Sequence, residues 1–446
     1  MSDPVTEGFD CKRPFAWTPQ GFQSFEAFLD SALRIDLGPV RPPCLINLRE
    51  DRYQFARCLV AGWRRGIGTL LPPDRSPRHL EALQALYPGA LLLPETAAER
   101  GPDDAKMAAP TGAAWMQDPS RCLAFGAASS GVTAFTSGTT GAPLAYQKSF
   151  LSLAESARLI DQHLGGMRGV AVVATVPCQH MYGLELGILL PLFRGAILTP
   201  ARPFFPADIQ KALEDTPAPR LLVTTPVHLK ACLDSGLDFP PLKAVVSATA
   251  PLSRRLAEAA EMRFKAPLYE IYGCTEGGSL AGRLPVRSRA WQWFENVRVT
   301  ATLEGLTTVR ALHVPDEIPL ADVIRPLDQR SFELEGRCGD LINVAGKRSS
   351  IASLNRIAQE FNGVEDASFF MPDAGPSGTT VRLVLFVQVA DGGLIPRLER
   401  HLREQIDPAF WPRLIYRVHQ LPRNATGKLP RAALQSLLNE AVTALN

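Results

Sequence analysis

From Asp51 to Tyr272 short apolar runs alternate with stretches of helical spacing. Asp51 to Arg65 reads as a helix with Phe55, Cys58, Leu59 and Trp63 on one face, and Gly68 to Leu71 as a strand. A helix over Pro77 to Leu86 follows, with Ser76 as N-cap, and then a strand over Ala90 to Leu93. After a polar connection (Ala97 to Ser120) the alternation resumes. Strands are expected at Val132–Phe135, Val170–Val176, Ala196–Thr199, Leu221–Thr225, Ala244–Ser247 and Leu268–Tyr272. Helices fall between them at Ser149–Leu164, Leu184–Phe193, Ala207–Glu214, Val227–Leu233 and Ser253–Phe264. The strands are continuous in Leu and Val rather than alternating, as strands buried on both faces are. Such a series predicts a parallel sheet flanked by helices. In these sheets ligands bind past the carboxyl ends of the strands.

The pattern changes from about Trp291. Val297 to Leu312 alternates, as half-exposed antiparallel strands do. Gly336-Arg337-Cys338-Gly339-Asp340 interrupts it and is a candidate hinge. A small α+β module is expected beyond, with strands at Leu341–Val344, Val364–Met371, Val381–Val389 and Ile415–Val418. Its helices are expected at Ile351–Phe361, Leu394–Gln405 and Arg431–Leu445. Residues 1–50 read as a partly irregular lead-in, with helical spacing over Phe22 to Leu33. The fold class is α/β: a large N-terminal domain of parallel-sheet subdomains plus a β-rich segment, and a small α+β C-terminal domain.

A length of 446 residues suits about two to three domains, and 46% hydrophobic content is enough to bury a sizeable core. A net charge of +2 is too balanced to argue for nucleic acid or an anionic membrane surface, so no nucleic-acid partner is expected. The eight cysteines are scattered, with no C-x-x-C and no histidine at zinc-ligand spacing, which points to free thiols and a cytoplasmic location. The first residues contain no apolar leader run, and Leu184–Phe193 is far short of the roughly 20 residues of a membrane span.

Phe135 to Lys148 packs four small hydroxyl residues among two glycines, then a proline and a lysine. Glycine lets backbone approach a ligand closely, and successive N–H groups and hydroxyls form a concave anion site. The spacing is not that of a Walker A loop. On residue chemistry alone an ordinary turn remains the alternative. Two strand-end loops also stand out, Pro177 to Gly183 and Gly273 to Gly278.

Taken together these segments resemble the adenylate-forming superfamily of acyl-CoA synthetases, carrier-protein adenylation domains and luciferases. Thr136-Ser137-Gly138-Thr139-Thr140-Gly141-Ala142-Pro143 resembles its phosphate loop, and Tyr272-Gly273-Cys274-Thr275-Glu276 its Y-G-x-T-E motif. Gly336 to Arg348 resembles its hinge motif, and Leu421 to Lys428 its catalytic-lysine loop. The resemblance runs from about Phe135 to the end of the chain. It implies an N-terminal adenylate-forming domain over residues 1–335 and a mobile C-terminal domain over 336–446 that carries the lysine.

The resemblance also implies roles. Thr136, Ser137, Gly138, Thr139, Thr140 and Gly141 would hold the β- and γ-phosphates of ATP. The family's lysine after the proline is replaced by Leu144, and Lys148 is the candidate substitute; the alternative is a solvated lysine at the start of the next helix. Thr275 would contact the α-phosphate and Glu276 a Mg²⁺. Tyr272 and Gly273 would meet adenine, with a core tyrosine as the alternative for Tyr272. Ala248, Thr249 and Ala250 would line the adenine and acyl pocket. Asp322, in a segment without the family's usual Thr-Gly prefix, would bind ribose, with a turn aspartate as the alternative, and Arg337 would reach the ribose or phosphate. His180 would gate the acyl carboxylate, and Lys428 would bridge that carboxylate and the α-phosphate. The family's acid two residues after the hinge arginine is Gly339 here, with Asp340 next.

The implied activity is an ATP-dependent acid–thiol ligase forming an acyl-AMP, with acyl carrier protein or coenzyme A as acceptor. Compact size, the phosphate-loop form and Val344-Ala345-Gly346-Lys347-Arg348 are most similar to small stand-alone ligases of aryl-polyene and xanthomonadin pigment pathways. An aryl, hydroxybenzoate-like acid is therefore expected, with a medium or long fatty acid as alternative. A non-catalytic ATP- or carrier-binding scaffold of the same fold is a second alternative, to which Leu144 and Gly339 would be suited and Glu276 and Lys428 would not.

Overall fold

The computed structural model describes residues 11–72, 75–94, 131–136, 144–303, 306–337, 341–344, 347–372, 383–423 and 429–443; at Thr136 and Arg337 it describes the backbone. Ser137 to Gly141 and Lys428 lie outside the described residues, as do the connection at 97–120 and the positions Cys338, Gly339 and Asp340.

The first sheet has the strand order Leu91–Leu93, Cys44–Asn47, Gly68–Leu71, Val132–Thr136, Leu144–Lys148 among the described residues. The first four strands are parallel, and the last returns antiparallel, with Val132 opposite Lys148. Helix Arg52–Arg64 covers it, started by the Asp51 carboxylate accepting from the Gln54 amide. Its Phe55, Leu59 and Trp63 are buried. Pro77–Leu86 forms the expected helix, capped by Ser76.

The larger sheet has eleven strands among the described residues. Its middle is parallel in the order Leu268–Cys274, Ala244–Ser247, Arg220–Thr224, Ala171–Ala174, Ile197–Leu198, Pro14–Thr18. Gly278–Arg283, Trp291–Trp293, Ser331–Arg337 and Asp322–Pro326 extend one side antiparallel. The strands are as apolar as buried strands require; Val172, Val223 and Val246 belong to one core cluster.

The expectation for residues 1–50 needs correction. Pro14–Thr18 and Gly21–Ser24 form a hairpin on the edge of the large sheet, and the helix is shorter, Phe25–Leu33. Phe22, half exposed, packs edge-on against Trp17 rather than continuing the helix's apolar face. Cys44–Asn47 is a central strand of the first sheet, four residues long and too short to show a period. The expected helix Leu184–Phe193 starts earlier, at Met181, and contains a π-helical segment at Glu185–Leu189. Such segments often mark functional positions.

The alternating segment forms Arg298–Leu303 and Leu306–Ala311, joined by Val314–Leu320 in a three-stranded antiparallel sheet. Beyond Arg337, Val364–Phe370, Val384–Val389 and Leu414–Arg417 form a separate sheet. Helices Ile351–Glu360 and Ile395–Gln405 contribute Leu354 and Leu398 to a core shared with Phe369 and Leu385.

Candidate active site

Ala171–Ala174, Arg220–Thr224, Ala244–Ser247 and Leu268–Cys274 run parallel, so their carboxyl ends share one rim. The loops leaving that rim contain His180, Ala248–Ala250 and Thr275–Glu276.

Tyr272 lies near the end of its strand, at a register shift against Gly278–Arg283. Its buried ring meets Trp291, Trp293 and Phe332 edge-on at centroid distances of 5.8, 6.5 and 5.8 Å. Its hydroxyl donates to Asp322 Oδ2 at 2.8 Å. Asp322 opens its strand directly opposite Arg337. Sheet register therefore joins the residues expected at adenine and ribose. At Gly273 an added Cβ would lie 2.3 Å from the Gly278 carbonyl oxygen, so the strands close here only with glycine. Thr249 has φ +78°, a costly conformation for a β-branched residue and one that concentrates at ligand sites. Ala248 before it is buried.

Thr275 and Glu276 occupy the half-buried turn after Cys274. The Gly277 amide donates to Cys274 Sγ at 3.3 Å, and burial pushes this thiol up to about 12. Cys178 is likewise pushed up to about 12 by burial. Both are packing residues rather than ready nucleophiles.

Lys148 ends a strand instead of opening the helix, which runs over Phe150–His163 behind the N-cap Ser149. It is 4% exposed, and its ammonium donates to the backbone carbonyl of Glu276. Burial lowers its affinity for a proton, opposed chiefly by the nearby Glu185 carboxylate and also by Glu276.

Glu185, which motif reading did not single out, is 1% exposed. It accepts from Ser156 Oγ at 2.5 Å, the Ser279 amide at 3.1 Å and Ser279 Oγ at 2.6 Å. Burial raises its pKa, and these hydrogen bonds oppose the shift. His313 packs beside it, with Nε2 3.1 Å from the Ser279 carbonyl. Burial, and then the charge of Lys148, hold the imidazole at about 4, so it is neutral near pH 7. One acid in the otherwise apolar run Met181 to Phe193 was the available sequence signal for this cluster.

His180 is exposed at the N-cap of Met181–Leu184, with no side-chain cap bond. Its loop is anchored beneath. Gln179 Nε2 donates to the Arg49 carbonyl at 2.7 Å. The guanidinium of Arg52, 1% exposed, donates to the carbonyls of Ala174 at 2.5 Å and Val176 at 2.8 Å, and to that of Ala201. The structure thus joins Tyr272 to Asp322 and Lys148 to Glu276 directly, and sets His180 on a separate loop of the same rim.

The AMP-binding enzyme family matches residues 100–300. A 4-coumarate–CoA ligase of Halorhodospira halophila is 27% identical over 311 residues, 67% of this chain and 75% of that protein. A 2-succinylbenzoate–CoA ligase of Staphylococcus epidermidis is 27% identical over 337 residues, covering 68% and 69%. The ATP-bound crystal structure of MatB from Rhodopseudomonas palustris shares the fold with a TM-score of 0.77 at 17% identity, covering 97% of each chain. Residues 100–300 thus resemble AMP-binding enzymes, and the relatives matched over about two thirds of this chain are named acid–CoA ligases.

Proposed function

We propose that the chain activates an aryl carboxylic acid with ATP and transfers the acyl group to the thiol of coenzyme A or an acyl carrier protein. A carboxylate oxygen attacks the α-phosphorus, the bond to the bridging oxygen breaks, and pyrophosphate leaves. A thiolate then attacks the acyl carbon, and AMP departs with the electron pair of the broken C–O bond.

The observation that carries this reading is the hydrogen bond from Tyr272 to Asp322, with Arg337 opposite Asp322 on the next strand. Tyr272 offers a ring to adenine, and a carboxylate at Asp322 accepts from vicinal ribose hydroxyls. Thr136 to Gly141 supply amides and hydroxyls to the terminal phosphates, and Thr275 a hydroxyl to the α-phosphate. His180 and Ala248 to Ala250 border the acid. Lys428 bridges carboxylate and α-phosphate and neutralises charge as it develops. The C-terminal segment from residue 336 turns about the Gly339–Asp340 region to admit the thiol.

Magnesium suits this donor set. Among the described residues no group of three or more His, Cys, Asp or Glu could form a protein cage. Mg²⁺ with ATP needs only one or two carboxylates beside phosphate oxygens, and Glu276 provides one. Bound there, the ion would neutralise phosphate charge.

The aryl preference draws support from the coumarate and succinylbenzoate ligases among the relatives. No helix among the described residues is long and apolar enough to cross a membrane. Among the described residues Cys44, Cys178 and Cys232 form no disulfide, which favours a cytoplasmic setting. Pyrophosphate exchange across hydroxybenzoates, cinnamates and fatty acids tests the proposal. Exchange with the aromatic acids is expected. Exchange with fatty acids alone would replace the aryl reading, and exchange with none would remove adenylation itself.

A further inference from the structure

Lys148 occupies an unusual place for a cation. It is nine-tenths buried, sits at the end of a strand, and donates to the main chain of the loop that carries Thr275 and Glu276. Lys148, Ser156, Glu185 and Gly278 line one small pocket, where the Glu185 and Glu276 carboxylates favour the ammonium. Glu185 is itself immobilised. Ser156 holds one oxygen from helix Phe150–His163, and Ser279 holds both from the strand after the loop. The π-helical turn begins at Glu185. Gly278, at φ +67°, brings the backbone so close that a Cβ would lie 2.7 Å from Glu185 Oε1.

Four chain segments therefore meet beneath one turn of the rim: the strand ending in Lys148, the helix carrying Ser156, the π-helical turn of Glu185 and the strand opening at Gly278. Buried charges persist only when paired and hydrogen-bonded. Here the compensation runs through the backbone of Glu276 rather than to solvent. The turn between Cys274 and Gly278 is too short to move while its Glu276 carbonyl stays bonded to Lys148.

We propose that Lys148 and Glu185 are positioning residues. Lys148 ties down the carbonyl of Glu276, and Glu185 supplies the buried negative charge that keeps this ammonium in place, so that the Glu276 carboxylate faces the metal-bound triphosphate in one orientation. The inference rests on the ATP-dependent reading above. It assigns Lys148 a task different from that of the phosphate-loop lysine, because its ammonium is directed to the main chain of the metal-binding turn. Outer partners that orient a metal ligand typically change affinity about 10–100-fold when removed.

The experiment measures nucleotide binding by tryptophan fluorescence, since Trp291 and Trp293 flank the ring of Tyr272. Wild type, Lys148→Met and Glu185→Gln are titrated with ATP in the presence of Mg²⁺ and again in EDTA. Lys148→Met is expected to weaken Mg²⁺–ATP binding about tenfold, while binding of metal-free ATP stays as in wild type. Glu185→Gln is expected to shift the same way. Ser279→Ala keeps both charges and removes one hydroxyl donor; it is expected to show a loss of about fivefold with Mg²⁺ alone, and serves if Lys148→Met does not fold. Equal weakening with and without Mg²⁺ would overturn the proposal in favour of direct contact between the ammonium and phosphate. Unchanged binding in the folded variants would overturn it as well. A wild-type protein that neither responds to ATP nor exchanges pyrophosphate with any acid would instead defeat the reading on which the inference rests.

Discussion

The hydroxyl of Tyr272 donates to Asp322 Oδ2 at 2.8 Å, linking the end of a central parallel strand to the start of an antiparallel strand at the sheet's edge. The bond orients the carboxylate proposed to hold ribose and fixes the ring proposed to face adenine. Tyr272→Phe retains the ring among Trp291, Trp293 and Phe332 and removes the bond. Loss of about 1 kcal/mol is expected, read as an apparent KM for ATP about fivefold higher with the KM for the acid unchanged. An unaltered ATP dependence would detach this pair from nucleotide binding.

Lys428→Ala is expected to lower acyl-adenylate formation about 10²–10³-fold, the scale for removing one preorganised group that stabilises transition-state charge. ATP binding measured by fluorescence should persist. Equal exchange rates in wild type and variant would favour a scaffold or a different mechanism.

Gly183 lies against the carbonyl of Pro177, where an added Cβ would be 2.0 Å from the oxygen. Gly183→Ala must open the loop that presents His180. Displacements on this scale have large kinetic effects; kcat/KM for the acid should fall about tenfold or more, with ATP binding retained. A variant with normal acid kinetics would separate this loop from the acyl site.

His163 is packed against Tyr269 and Phe294, its Nε2 has no hydrogen-bond partner among the described residues, and burial lowers its pKa to about 4. The unfolded residue titrates near its ordinary value of about 6.5. Between these values the unfolded chain binds more protons than the folded one, so stability is full above about pH 6.5 and falls as the pH drops toward about 4. The slope from this group approaches about 1.4 kcal/mol per pH unit at most. His313 adds a contribution of the same sign. Thermal melts at pH 7 and pH 5 should show a smaller drop for His163→Phe than for wild type; identical drops would show that His163 is not a source of the acid sensitivity.

Local features could be read before the fold was known. Gly68–Leu71 and Ala244–Ser247 are strands, and Pro77–Leu86 is a helix, with the limits their apolar runs and the Ser76 cap imply. The Y-G-x-T-E turn stands at a strand end because its glycine and the strand before it are contiguous in sequence. Pro14–Ser24 carries little periodicity because it is a two-stranded edge, and Phe22 falls on the spacing of the helix that follows. Leu144–Lys148 was missed because its pairing with Val132–Thr136 depends on the intervening loop. The Tyr272–Asp322 bond and the burial of Glu185 depend on sheet register and on what packs above them, which no local pattern encodes. Of the site, the phosphate loop from Ser137 to Gly141 and Lys428 stand on motif likeness alone.

Arg52 belongs to the helix over the first sheet, yet its guanidinium donates to carbonyls at Ala174, Val176 and Ala201, in or beside the larger one. This sets a rule for recombining such ligases. A chimera joined between the two sheets would bring one parent's arginine to the other's carbonyl geometry, and a buried guanidinium left without acceptors is strongly destabilising. A stable chimera should therefore require a cut that keeps residue 52 with the segments at 174–176 and 201. That clasp, rather than the boundary between sheets, sets where the chain can be cut without orphaning a buried charge.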